Sequence, residues 1–304
     1  MSAWTARHAG RAAGRRGKPA RRATSRSAGT PAASRGEASP PRGLGSTWST
    51  TLAILFAIAF GWRLAYILRL AATPLGGSLT EDAQFYWTWS AHLLRHGFVG
   101  SNPFFLAPLY PYVLAPLRLA LGDSVQRVLI VQAVWGAAAA VLLADAARRM
   151  TRPGVGLVVG VLAAFYENAV FFDGLVLTES LLFFLESLLV WWIAARGARA
   201  PRAWVAAVAG VLVGVIAEGR ATSSLLLLPA AVWIAHAART GEDGPAEHER
   251  GTDAARSRAP LGPALPGIAA LAAGFLLVTT PVAIRNYAVG HEWIPFTYNL
   301  GYNA

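Results

Sequence analysis

The residues able to do chemistry are a few charged side chains in a chain that otherwise avoids charge. Asp82, Asp173 and Glu179 fall near the same mouth of the apolar segments once these are laid across a bilayer, where carboxylates can cluster around one aqueous cavity. Arg220 and Arg285 stand at segment ends on that side, and Arg63 lies deeper in the first apolar segment. A guanidinium offers a forked donor set that matches phosphate oxygens, so arginines at a membrane surface suit a lipid-linked phosphate. The competing reading pairs each arginine with a nearby acid, Arg220 with Glu218 and Arg285 with Glu292. Asp173, next to Gly174, also reads as a turn former.

Asp82 belongs to the stretch around which the chain is organised, residues 78–111. Ser78 and Glu81 fit a capping box, in which serine caps a helix and glutamate reaches back, so Glu81 has a structural duty that Asp82 lacks. Tyr86 and Trp89 follow Asp82 at helical spacing, with Phe85 and Trp87 beside them. Such an aromatic belt predicts a helix lying in the headgroup layer. Pro103, Phe104, Phe105, Pro108, Tyr110 and Pro111 come next, and the prolines interrupt any regular spanning helix. Tyr86, Trp89 and Tyr110 are the expected contacts for substrate or lipid, together with Asn286 beside Arg285. His92 and His96, one turn apart, admit a divalent metal in principle, but such a pair on an interfacial helix is more often polar face. No cofactor is called for, and a metal is not indicated.

The elements that must position these residues follow from composition. Among 304 residues 55% are hydrophobic and 14% charged, which describes an all-α, polytopic membrane bundle and not a soluble domain. The absence of cysteine excludes disulfides and thiolate metal sites. A net charge of +11 would suit nucleic acid if it were spread over a fold, but much of it sits in residues 1–47, where ten basic residues face the single acid Glu37. That composition predicts a disordered cytoplasmic tail before the first span. Apolar runs at 48–71, 124–147, 155–172, 175–195, 204–217, 223–238 and 265–284 give about seven crossings. Arg148, Arg149, Arg152, Arg196, Arg199 and Arg202 fall on the tail's side, as the positive-inside rule requires. Residues 72–123 form the first outer loop, with interfacial helices, and 239–260 a polar cytoplasmic loop. Asp145, one turn before Arg148 and Arg149, reads as a structural ion pair.

The order of these features resembles the bacterial membrane glycosyltransferases of family 39, of the GT-C class, relatives of protein O-mannosyltransferases and of the aminoarabinose transferase that modifies lipid A. The resemblance rests on Asp82 followed by Tyr86, on PFFLAPLYPYVLAPL at 103–117, on Arg127 and Gln132 opening the second span, and on FFDGLVLTES ending in Thr178 and Glu179. It continues with GRATSSLLLLP at 219–229 and with PVAIRNYAVG through NLGYN at 281–303. It implies a polyprenyl-phosphate sugar donor entering from the bilayer and transfer at the outer surface of the plasma or inner membrane, with inversion. The acceptor, whether lipid, glycan or protein, is left open. On that pattern Asp82 is the general base, Glu179 and Asp173 are supporting acids, and Arg220, Arg285 and Arg63 hold the donor phosphate. Two departures stand out. Many relatives carry a second acid where this chain has Ala83, and they continue past the equivalent of Ala304 into further spans and often a soluble domain, so a C-terminally incomplete domain is expected. A lipid-linked sugar transporter, or a catalytically silent membrane partner, is the alternative.

The arginine distribution generates a topological prediction. Single cysteines at Ser34 and Gly251 are expected to be shielded from an impermeant thiol reagent in intact cells, and one at Ser101 to react. Labelling at 251 without labelling at 101 reverses the orientation.

Overall fold

The computed structural model describes residues 44–74, 76, 78–79, 81–197, 201–241 and 262–298. The expected tail, up to residue 43, and the expected cytoplasmic loop, from 242 to 261, lie outside them, as does the end of the last motif, 299–304. The described residues are helical and include no strand. In chain order the helices are α1 (Leu44–Ala71), α2 (Glu81–His96), α3 (Leu109–Leu121), α4 (Val125–Met150), α5 (Pro153–Ala164), α6 (Glu167–Asp173), α7 (Glu179–Ala194), α8 (Ala203–Gly219), α9 (Leu227–Gly241) and α10 (Leu265–Gly290). A 3-10 turn, Ala221–Leu226, leads into α9.

Among the described residues four helices are long and apolar enough to cross a membrane: Thr47–Ala71, Val125–Met150, Ala221–Arg239 and Gly262–Gly290. A fifth crossing arises if α5 and α6, bent by 48° at their junction, are counted together. This is a helical membrane protein with four or five candidate spans, and each expected apolar run has become a helix or a helix pair. The full expected count is not reached because α7 and α8 have 16 and 17 residues. At about 1.5 Å per residue each covers roughly 25 Å, short of a hydrocarbon core of about 30 Å.

Small residues bring these helices together. Lipid removes the hydrophobic gain of helix association, so packing relies on close backbone approach. On α4 the buried stripe Ala133, Ala137, Ala140 and Ala144 faces α1, α5 and α7. Between α8 and α10 the contact is closer still, because a β-carbon at Gly210 would run into the backbone of Leu271, and one at Gly274 into that of Ala207.

In the expected outer loop, α2 and α3 are short helices separated by an irregular segment. Pro111 sits in the first turn of α3, where the missing N–H costs nothing, while Pro116 lies inside it. Glu81 is the first residue of α2 with a left-handed φ of 46°, so it does not occupy the third helical position that a Ser78 capping box needs.

The centre of the bundle holds one ion pair. Arg63 Nε donates to Asp173 Oδ2 at 2.7 Å, and the two side chains are 0% and 1% exposed. Arg63 Nη1 also donates to the carbonyl of Ala164 at 2.6 Å and Nη2 to that of Ala163 at 3.2 Å. Ser180 donates its hydroxyl to Asp173 Oδ1. Gly136 of α4 leaves the room, since a β-carbon there would overlap both Arg63 and Asp173. This corrects two expectations. Arg63 is consumed by protein acceptors and reaches no donor phosphate, and Asp173 is neither a carboxylate at the mouth nor a simple turn former. At the other end of α4, Asp145 pairs with Arg148 and Arg149 as expected, and also accepts from the indoles of Trp48 and Trp191 at 3.0 and 2.9 Å.

Breaking a buried pair by truncating one member costs about 3–5 kcal/mol, because the other charge is left uncompensated. Arg63→Met or Asp173→Asn alone is expected to lower the melting temperature in detergent sharply, and the double change Arg63→Met with Asp173→Leu to recover part of the loss, the carbonyls of Ala163 and Ala164 staying unpaired. A double variant no better than the singles refutes the pairing.

Candidate functional site

The site is built on α2. Ala83, Tyr86, Ser90 and Leu93 recur at helical spacing and form its buried face against α3 and α4. That burial turns Asp82, Phe85 and His92 outward, with Trp89 half-buried between the faces. Asp82 is exposed in the first turn of α2, where the helix dipole favours a carboxylate. Among the described residues no side chain bonds or pairs with it. Tyr86 packs edge-on against Tyr110 with ring centres 5.5 Å apart. Its hydroxyl is held above the usual tyrosine range by burial first and then by the charges of Asp82 and Glu179, with Arg220 acting the other way. One buried phenol thus sits in the fields of an unpaired acid and of an ion pair.

That pair joins Arg220 Nη2 to Glu179 Oε1 at 2.9 Å. Glu179 opens α7, and Arg220 follows α8 in extended backbone before the 3-10 turn. The partner of Arg220 is therefore Glu179, not Glu218. The guanidinium remains 51% exposed, while the second oxygen of Glu179 is enclosed and unbonded among the described residues. Glu186 lies about two turns further along α7, with Ser223 donating to it at 3.5 Å.

Arg285 does something else. Its Nε donates to the carbonyl of Val99 at 2.7 Å, Nη2 reaches the same carbonyl, Nη1 donates to Asn286 Oδ1 at 2.9 Å, and the guanidinium lies 3.8 Å above the ring of Phe104. No bond to Glu292 is found. Asn286 is fully buried and saturated: Oδ1 also accepts from the Phe104 amide, while Nδ2 donates to the carbonyls of Ile294 and Phe296, both at 3.0 Å. The pair thereby stitches the α2–α3 loop and the segment after α10 onto the end of α10. Asn286 is a buried loop anchor with its amide fully engaged by protein groups.

Two of the expected aromatic contacts are buried as well. Tyr110 is fully enclosed and donates to Gln132, whose amide donates to the carbonyls of Asp173 and Leu175 at 3.1 and 2.7 Å. Tyr86 is only 6% exposed. Trp89 does face open space, a groove of about 410 Å³ that it shares with Phe85, Ser101, Asn102, Phe105 and Arg285. His92 and His96 stack with ring centres 4.4 Å apart, and among the described residues no third metal-ligating side chain joins them.

Sequence reasoning missed Arg118 and gave Glu218 only a pairing role. Arg118, 8% exposed, donates to Ser90 Oγ at 2.7 Å and to the carbonyl of Trp87, pairs with Asp123, and lies 4.0 Å above the Trp87 ring, so it locks α2 onto α3. Its signal was a lone arginine in a 13-residue apolar helix five positions before an acid. No family model, curated protein or solved structure matches this chain.

The stitching by Asn286 generates a prediction. Asn286→Ala strands two carbonyls and an amide, a loss of about 1–3 kcal/mol for each buried group left unpaired. Faster hydrogen–deuterium exchange is expected in residues 98–106 and 292–298 and not in α4. Unchanged exchange in both segments rules out the anchor.

Proposed function

We propose that this chain is a membrane-embedded glycosyltransferase that moves a sugar from a polyprenyl-phosphate donor to an acceptor hydroxyl at the outer face of the membrane. The observation that carries the reading is a solvent-exposed, unpartnered carboxylate, Asp82, at the start of a surface helix, in common electrostatic reach of Tyr86 with the exposed guanidinium of Arg220. The order of its motifs, which resembles that of family 39, supports it. In this topology the short helices α7 and α8 complete their crossings with the turns that flank them. The N-terminus is then cytoplasmic, and α2 lies on the outer surface of the plasma or inner membrane.

The roles follow from position. Asp82 takes the proton of the acceptor hydroxyl, whose oxygen attacks the anomeric carbon from the face opposite the phosphate. As the new glycosidic bond forms, the bond from that carbon to the phosphate oxygen breaks, and polyprenyl phosphate leaves with the extra negative charge. Arg220 stabilises that charge, and Glu179 holds the guanidinium in place until phosphate shares it. Tyr86, kept protonated, offers a hydroxyl donor to the carboxylate of Asp82 or to the leaving phosphate. Arg63, Asp173, Tyr110 and Asn286 build the frame, and Arg285 fixes the loop that carries the groove.

A transporter of the same lipid-linked sugar would call for broken helices in two corresponding halves. One bent pair, α5 with α6, is present among the described residues, which favours the enzyme.

Asp82→Asn is nearly isosteric and removes the base. Transfer from a polyprenyl-phosphate sugar in membranes, with several acceptors offered and protein level checked by immunoblot, is expected to fall on the order of a hundredfold or more. Glu81→Gln is expected to cost far less. A well-inserted Asp82→Asn protein with full activity removes Asp82 from the mechanism and leaves Glu179 as the next base.

A further inference from the structure

The groove on the outward face of α2 is walled in an unusual way. Its apolar members are all rings, Phe85, Trp89, Phe104, Phe105 and Pro103, with no Leu, Ile, Val, Met or Ala among them. Two other clefts in the molecule mix rings with aliphatic walls, Ala65 and Val170 in one and Leu109 and Val282 in the other. Phe85 meets Trp89 and Phe105 edge to face, with ring centres 5.7 and 6.4 Å apart. Both phenylalanines still stand open to solvent, Phe85 at 40% and Phe105 at 52% exposure.

The polar members are Thr88, His92, Ser101 and Asn102, all exposed. Each type both donates and accepts hydrogen bonds. Protein uses little of that capacity. Thr88 accepts from Gln84 at 3.2 Å, Ser101 accepts from Asn102 at a marginal 3.5 Å, and among the described residues no hydrogen bond engages His92. Arg285 touches the groove, but its guanidinium lies on the Phe104 ring and three of its five N–H groups go to Val99 and Asn286. No carboxylate lines the groove.

These walls select an occupant by chemistry. An acyl chain would strip water from hydroxyl, amide and imidazole groups without replacing their bonds, and a cation would find no counter-charge. A sugar ring matches both kinds of wall. One of its faces is a patch of slightly positive C–H groups, which stacks on the negative face of an aromatic ring, and its hydroxyls donate and accept. The groove is also aimed at the proposed base. Asp82, Phe85, Trp89 and His92 follow at steps of three, four and three residues along one face of α2. At about 1.5 Å per residue, Phe85 lies about 4.5 Å and His92 about 15 Å along the axis from Asp82.

We propose that this groove is the acceptor subsite and that the acceptor is a carbohydrate chain. Its terminal sugar stacks at Phe85 and Phe105 and turns a hydroxyl to Asp82, and the next unit lies over Trp89 beside His92, Ser101 and Asn102. The acceptor role rests on the transferase reading above, whereas the recognition of sugar stands on the groove alone.

The test uses the full chain in phosphatidylcholine nanodiscs, since glycosidic detergents would compete, with binding read by saturation-transfer NMR of the ligand. The probes are linear tetrasaccharides of mannose, glucose and arabinose, the three free sugars, and a neutral threonine-containing hexapeptide. At least one tetrasaccharide is expected to bind roughly fivefold or more tighter than its free sugar and than the peptide, the size of one further ring contact or hydrogen bond. Phe105→Ala and Phe105→Leu are both expected to lower that affinity roughly fivefold, and Asn102→Ala by a similar factor. Both side chains are exposed, so the melting temperature should not move. The bound tetrasaccharide is also expected to accept sugar from the polyprenyl-phosphate donor. Binding by no tetrasaccharide, or tighter binding of the peptide than of any of them, overturns the proposal. Full binding by Phe105→Leu makes the groove an apolar patch that needs no ring face and overturns it equally. Transfer to the peptide alone keeps the transferase reading and overturns the carbohydrate acceptor. Tetrasaccharide binding that depends on Phe105, with transfer to no acceptor, overturns the transferase reading and leaves a carbohydrate-binding groove.

Discussion

The fold depends on the buried contact between Arg63 and Asp173, and that contact explains the break between α5 and α6. Where a helix bends sharply inside a membrane, the carbonyls at the break lose their helical partners and have no water to turn to. Here the freed carbonyls of Ala163 and Ala164 accept from Arg63, whose remaining charge is met by Asp173 at the far end of α6. The bend and the arginine are two halves of one arrangement. Neither is tolerable alone, and both need the space left by Gly136. From this knot a continuous line of contacts runs to the surface. Asp173 offers its backbone carbonyl to Gln132, Gln132 accepts from Tyr110, and Tyr110 packs on Tyr86, one helical turn from Asp82. The acid proposed as base is thus positioned by a rigid stack that begins in the middle of the bundle.

Arginine serves chiefly as a fastener in this chain. Arg63 closes a helix break, Arg118 binds α2 to α3 through a hydroxyl, a carbonyl and an indole face, and Arg285 holds a loop by one carbonyl and one ring. In each case the planar, five-donor group meets acceptors that lipid cannot supply. Arg220 differs: its side chain is half in solvent, and its one bonded partner, Glu179, is itself part-exposed. A pair of this kind contributes little to stability, so exchange of its carboxylate for a phosphate is energetically accessible in a way that dismantling the Arg63 cluster is not.

The parts of the molecule set by local chemistry were legible in the sequence. Hydropathy located the helices, the aromatic belt located α2 as a short helix outside the long apolar runs, and the spacing of Asp145 to Arg148 and Arg149 announced their pairing. What failed was partner choice across long separations. Arg63 and Asp173 are 110 residues apart, and Arg220 and Glu179 are 41 apart. Sequence proximity suggested Glu218 for Arg220 and Glu292 for Arg285, and the fold used neither. The capping box failed for a related reason. Its motif was present, but the chain enters α2 through a left-handed Glu81, which puts the glutamate at the wrong helical position. Length and composition alone leave the count at four or five among the described residues, because α7 and α8 have only 16 and 17 residues.

Asp82 and Glu218 are among the described acids left without a partner once these pairings are removed, and their settings differ. Asp82 stands in solvent at a helix N-terminus, a setting that sustains a carboxylate with no bound partner and lets it meet a polar, water-borne acceptor. Glu218 is buried at a helix C-terminus, a setting that opposes a carboxylate. The first is therefore suited to a proton taken from a transient visitor, and the second, closed to solvent, is not.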